Sequence, residues 1–131
     1  MASGLRTKPK RSSAVIGMVD DDESVRMALS SSLRSANWKV IAYASATHLL
    51  GDTRRSELTL VIADIQMPGV DGFELLESIK QWKQPVPVIF ITAHATEEII
   101  ERAKTGGAAG FFSKPVDDAR LLALIGQILK Q

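Results

Sequence analysis

Five residues of this 131-residue chain have types that could do chemistry together: Asp20, Asp21, Asp64, Thr92 and Lys114. Carboxylates packed side by side repel one another and raise each other's pKa unless a cation joins them. Lys114 is one such cation, but a single ammonium cannot neutralise three acids. A hard divalent ion with oxygen ligands completes the balance, and Mg2+ suits a set of carboxylate, carbonyl and water. Taken singly, each residue has a plainer reading. An acidic run such as Asp20-Asp21-Asp22-Glu23 is usually a solvated helix start. A lone Asp after a strand is usually a turn or cap residue. Thr92 alone reads as a strand residue and Lys114 as a surface charge. The chemistry therefore depends on convergence, and convergence depends on the elements that position these side chains.

Those elements are legible in the hydrophobic pattern. Residues 58–72 read Leu-Thr-Leu-Val-Ile-Ala-Asp-Ile-Gln-Met-Pro-Gly-Val-Asp-Gly. A short apolar run, 58–63, leads into Asp64, and the chain then breaks at Pro68, Gly69 and Gly72. Such a run bounded by turn residues predicts a strand buried on both faces. Residues 14–19 predict a first strand running into Asp20, and 38–43 a second. Residues 88–91, entered past Pro85 and Pro87, predict a fourth that ends at Thr92. Residues 109–113 predict a fifth that ends at Lys114-Pro115.

Helical spacing fills the gaps. Val25, Leu29, Leu33 and Ala36 mark a helix whose start suits Asp22 or Glu23. Ser45 caps a short helix through Leu50. Phe73, Leu76 and Ile79 mark another, to about Trp82. Thr96 caps one carrying Ile99, Ile100 and Ala103, which Gly106 and Gly107 end. Leu121, Leu124, Ile125 and Ile128 mark the last, over 117–129. Five strands alternating with five helices predict an α/β domain with a parallel sheet and helices on both faces. In such a sheet the carboxyl ends of the strands share one edge, where ligands bind. Asp20, Asp21, Asp64, Thr92 and Lys114 are all expected there.

Composition narrows the classes. The length suits one domain with a real core. There is no cysteine, so disulfides and thiolate metal sites are excluded. No apolar run approaches the ~20 residues of a membrane helix, and the start lacks a signal-peptide core; a soluble cytoplasmic protein is expected. The net charge of +1 conceals an asymmetry. Arg6, Lys8, Lys10 and Arg11 lie in a basic N-terminal segment, 1–13, whose composition predicts disorder. The remainder carries 12 basic against 15 acidic residues, which argues against a nucleic-acid surface on the domain itself. The segment Gly106-Gly107-Ala108-Ala109-Gly110 follows a helix and precedes a strand, the reverse of a phosphate-cradling loop. His48 and His94 have no metal-type spacing. His48 is expected on a helix surface and His94 near the rim of the pocket.

At four separated motifs the chain resembles the receiver domain of bacterial two-component response regulators. They are Val-Asp-Asp-Asp at 19–22, Ala-Asp-Ile-Gln-Met-Pro-Gly-Val-Asp-Gly at 63–72, Ile-Thr-Ala at 91–93 and Ser-Lys-Pro at 113–115. The resemblance spans essentially all of 14–130, within a receiver domain expected over 14–131, and around Thr92-Ala93-His94 it is similar to FixJ-like receivers. It implies a flavodoxin-like doubly wound sheet of order 2-1-3-4-5. It implies that Asp64 accepts a phosphoryl group from a sensor histidine kinase or a small phosphodonor. Asp20, Asp21, Asp64 and the backbone carbonyl of Gln66 would hold Mg2+. Thr92 and Lys114 would each take a phosphoryl oxygen, with small Ala93 leaving Thr92 room to move. Phe111 would be the aromatic switch residue, and the Lys114-Pro115 bond would be cis. The helix beginning at Thr96, the fifth strand and the last helix would form the surface for a downstream protein target or a homodimer. Gln66 and His94 would tune the lifetime of the phosphorylated state.

The resemblance also sets the alternatives. A phosphatase similar to haloacid dehalogenases would want an Asp two residues past its nucleophile, where this chain has Gln66. A constitutive interaction domain would have no need of all five site residues. The chain ends at Gln131, which predicts a stand-alone receiver working through protein contacts, or else the receiver part of a longer DNA-binding regulator. Only slow self-catalysed phosphorylation and dephosphorylation are expected of it, not the turnover of an enzyme.

Overall fold

In the computed structural model, residues 13–130 are described. The expected basic segment 1–13 lies outside them except for Ser13. The strands are β1 (Val15–Val19), β2 (Lys39–Tyr43), β3 (Leu60–Asp64), β4 (Val88–Thr92) and β5 (Gly110–Ser113). The helices are α1 (Glu23–Ser35), α2 (Ala46–Leu50), α3 (Gly72–Lys80), α4 (Glu97–Gly106) and α5 (Asp118–Leu129). The sheet has the order β2-β1-β3-β4-β5 and every pairing is parallel. This is the doubly wound, flavodoxin-like arrangement, whose order reverses direction at β1/β3.

Local chemistry sets the helix boundaries. The Asp22 carboxylate accepts from the backbone N–H groups of Ser24 and Val25 and starts α1. Asp71 and Glu74 form a reciprocal capping box at α3: the Asp71 side chain accepts from Glu74 N, and the Glu74 side chain accepts from Asp71 N, both at 2.9 Å. Thr96 caps α4 through Ile99 N. Gly107 ends α4 at a φ of 90°, a left-handed conformation that a side chain would resist.

Two apolar layers sandwich the sheet. Leu49, Phe73, Leu75, Ile79 and Ala103 join β-strand residues on the side of α2, α3 and α4. Leu29, Leu33, Leu121 and Ile125 join them on the side of α1 and α5. The central strands β3 and β4 are buried along their whole length, which is why their sequences are continuous apolar runs. Phe90 lies fully buried in β4, edge-on to Phe73 of α3 at 5.3 Å between ring centroids.

Two boundaries differ from expectation. Thr53–Glu57 form a 3-10 turn capped by Asp52, whose carboxylate also accepts from the Tyr43 hydroxyl at 2.7 Å. Leu58 closes that turn, so the third strand begins at Leu60 rather than at 58. At its other end β3 includes Asp64, paired in register with Ile91. The backbone of the site residue is thus fixed by the sheet.

Gly72 shows how closely the loop returns to that strand. A Cβ there would stand 2.8 Å from both the Asp64 carbonyl oxygen and the Ile65 Cα. Both are backbone atoms and cannot step aside. Gly72→Ala should therefore lower stability by about 1–3 kcal/mol, the usual cost of overpacking. Urea unfolding measures it; an unchanged midpoint would show the loop to be looser than it stands here.

Candidate functional site

The expected convergence is present at the carboxyl edge of the sheet. Asp20 follows β1 directly and is fully buried. Its backbone is pinned from two sides and its carboxylate from a third. Asp20 N donates to the Tyr43 carbonyl at 3.2 Å, Asp22 N donates to Asp20 Oδ1 at 2.8 Å, and Arg26 Nη1 donates to the Asp20 carbonyl at 2.7 Å. Asp64, at the end of the neighbouring strand β3, is 5% exposed. Lys114, beyond β5, reaches across β4 to both acids. Its Nζ lies 3.0 Å from Asp20 Oδ2 and 3.2 Å from Asp64 Oδ2. Asp21 is exposed, yet a carboxylate oxygen from each of Asp20, Asp21 and Asp64 falls within 4.8 Å of the others.

The electrostatics follow from this crowding. Burial, reinforced by the negative charge of Asp20, raises the Asp64 pKa above the ordinary carboxylate value; Lys114 opposes the rise without cancelling it. Burial draws the Lys114 pKa down, but its close contact with Asp20 and the charges of Asp20 and Asp64 outweigh it, and the net shift is upward. One ammonium thus faces three carboxyl groups. Asp20 Oδ2 is enclosed, faces the lysine charge, and makes no hydrogen bond of good geometry. An enclosed oxygen in that condition, within reach of two further carboxylates, fits a small hard cation. The donor set is therefore suited to Mg2+.

The remaining expected residues divide into two groups. Thr92, fully buried at the end of β4, is held by its neighbours on the adjacent loops. Its hydroxyl donates to the Gln66 side-chain oxygen and accepts from His94 N at 3.0 Å. Gln66 N in turn donates to Asp64 Oδ1 at 3.3 Å. Ala93 and His94 are exposed on the loop leading to α4, and His48 is exposed on α2. Phe111 stands apart from the carboxylates. It is half-buried on β5, in register with Phe90, and packs against the α2–α3–α4 layer. The Lys114-Pro115 bond is cis.

Two contacts escaped the sequence reading. Arg26 lies off the apolar stripe that marks α1, yet it clamps the Asp20 carbonyl. The signal was its place in the first turn of α1, because long helical side chains lean back toward the N-terminus. The Gln66 side chain bonds Thr92, whereas the resemblance implied a role for its backbone carbonyl.

Comparison with known proteins agrees with this geometry. The family model described as the response regulator receiver domain matches residues 16–126. The response regulator protein TodT of Pseudomonas putida F1 is 37% identical over 128 residues, covering 98% of this chain and 56% of TodT. The transcriptional regulatory protein FixJ of Bradyrhizobium diazoefficiens is 34% identical over 116 residues, covering 88% of this chain and 57% of FixJ. The chain thus spans little more than half the length of these curated relatives. Among solved structures, the chemotaxis protein CheY4 of Vibrio cholerae superposes with a TM-score of 0.77 at 27% identity, covering 88% of this chain and 98% of that one. With the strand order, the buried acid pair bridged by lysine and the matched motifs all in agreement, the chain belongs to the response regulator receiver domain family.

Proposed function

We propose that this domain is a phosphorylation-controlled switch in which Asp64 accepts the phosphoryl group. Receiver domains are the signalling phosphoacceptors of two-component systems, which supports the general reading. The observation that carries it to this chain is Lys114 Nζ, 3.0 Å from Asp20 and 3.2 Å from Asp64 beside three carboxylates. Phosphoryl transfer needs positioning and neutralisation of oxygens more than covalent machinery.

An Asp64 carboxylate oxygen attacks phosphorus. The bond from phosphorus to the donor breaks, and its electron pair leaves on the donor: a histidine nitrogen of a sensor kinase, or an oxygen of a small phosphodonor. The product is an acyl phosphate. Asp20, Asp21, Asp64 and the Gln66 backbone carbonyl would hold Mg2+, which supplies positive charge to the phosphoryl oxygens when bound. Lys114 turns from the carboxylates toward one phosphoryl oxygen, and Thr92 donates its hydroxyl proton to another. Drawing in Thr92 biases β4, β5 and the half-buried Phe111, so that the α4–β5–α5 face presents differently to a downstream protein or to a second copy of the chain. The reading places the domain in the cytoplasm and gives it no nucleic-acid contact of its own.

The test is incubation with acetyl phosphate and Mg2+, followed by intact-mass measurement. One phosphoryl group per chain is expected, lost when EDTA replaces the metal. No adduct under either condition would refute the reading, and turnover of a general phosphomonoester would favour a phosphatase.

A further inference from the structure

The Thr92 hydroxyl carries one proton and two acceptor sites. Here the proton is given to Gln66 Oε1, and the oxygen accepts from His94 N. A phosphoryl oxygen on Asp64 would require the same proton, and a hydroxyl can serve only one acceptor well. We propose that the Gln66 side chain is a latch: it holds Thr92 in the unphosphorylated position and must release it before the domain can switch. This deepens the phosphoacceptor reading and rests on it.

Three features of the structure support the latch. Thr92 is fully buried, so water does not compete for its proton, whereas Gln66 is exposed and can swing away once released. Gln66 follows Asp64 by two residues, and its own N–H reaches Asp64 Oδ1, so the latch sits against the acceptor itself. His94 N holds the Thr92 oxygen from the other side, so the exchange turns only on which acceptor takes the hydroxyl proton. A charge-assisted hydrogen bond is roughly twice as strong as a neutral one. A phosphoryl oxyanion therefore outcompetes the Gln66 amide. The Gln66 side chain thus acts as a positioning group through Thr92: it sets how much the unphosphorylated state is favoured and makes no contact with the transferred group.

Gln66→Met keeps the length of the side chain and the backbone carbonyl but removes the acceptor. Beryllofluoride, a phosphoryl mimic, is titrated at saturating Mg2+ into the parent, Gln66→Met, Thr92→Val, and the double variant. Releasing one ordinary hydrogen bond should tighten beryllofluoride binding about fivefold in Gln66→Met. The same step made in the Thr92→Val background should change nothing, because there is then no proton to hold. Equal affinities for parent and Gln66→Met, or equal tightening in both backgrounds, would overturn the latch. A second measurement needs no anion: the χ1 coupling of Thr92 by NMR in the unliganded protein, which should change in Gln66→Met and overturns the latch if it does not. A parent that takes up no beryllofluoride removes the phosphoacceptor reading, and the latch then stands or falls on that coupling.

Discussion

Asp64→Asn should take up no phosphoryl group from acetyl phosphate and, without Mg2+, should melt at a higher temperature than the parent at pH 7. The first effect follows because an amide offers no nucleophilic carboxylate oxygen at a position that is 5% exposed and has no acid of equal placement: Asp20 is wholly enclosed, and Asp21 is exposed at the rim. The expected loss is complete. The second effect follows from the raised Asp64 pKa, caused first by burial and then by the charge of Asp20. Because folding raises this pKa, the fold disfavours the ionised carboxyl. That penalty is absent below the unfolded value of about 3.9. It grows as pH rises through the higher folded value and is in full force beyond it. Asn carries no such penalty, so the gain in melting temperature should be present at pH 7 and should shrink toward pH 4. Sites built for function are often ones where stability is given up in this way. Intact mass and melting curves at the two pH values check both effects. A phosphoryl adduct on the Asn variant would move the acceptor elsewhere, and an equal or lower melting temperature at pH 7 would mean that Lys114 outweighs the crowding.

Lys114→Met should have the opposite effect on the same balance. Methionine fills the stem of the lysine but leaves Asp20 and Asp64 without the ammonium that stands 3.0 and 3.2 Å away. Removing one partner from a buried ionic cluster typically costs 3–5 kcal/mol. The lysine side chain is 17% exposed, so the lower end, about 3 kcal/mol at pH 7 without metal, is the expected loss. Loss of the cation raises the Asp64 pKa further, since Lys114 lowers it more than the Gln66 backbone N–H does. The variant should therefore regain stability as pH falls and Asp64 takes up a proton. Mg2+ should restore much of it at neutral pH, and so should a second change, Asp64→Asn. Urea unfolding with and without the metal reads all of these. A loss at pH 7 that neither acid, Mg2+ nor the second substitution relieves would mean that Lys114 acts through packing and not through charge.

The two variants differ in sign because the site gathers more carboxylate charge than its one lysine offsets. Gly72 and Arg26 belong to the same design. One lets the loop return within van der Waals range of the Asp64 backbone, and the other fixes the Asp20 carbonyl, so the carboxylates are held in place by groups that carry none of the chemistry themselves.

The sequence by itself determined the alternation of strands and helices, because period and apolar run length are local properties of the chain. It also determined which residue types end the strands, and hence that Asp20, Asp64, Thr92 and Lys114 would share an edge. The caps at Asp22, Ser45 and Thr96 were readable for the same reason. The capping box at Asp71 and Glu74 was equally local, although the sequence reading passed over it. Other features were settled only in three dimensions. That Asp64 belongs to β3 depends on its pairing with Ile91, and the turn at Thr53–Glu57 depends on the bond between Asp52 and Tyr43. That Thr92 gives its proton to a side chain 26 residues away depends on the register of β3 against β4 and on how the loops beyond them meet. Hydrogen bonds of this kind are chosen by distances of a few tenths of an ångström between segments remote in sequence, and no local pattern carries that information.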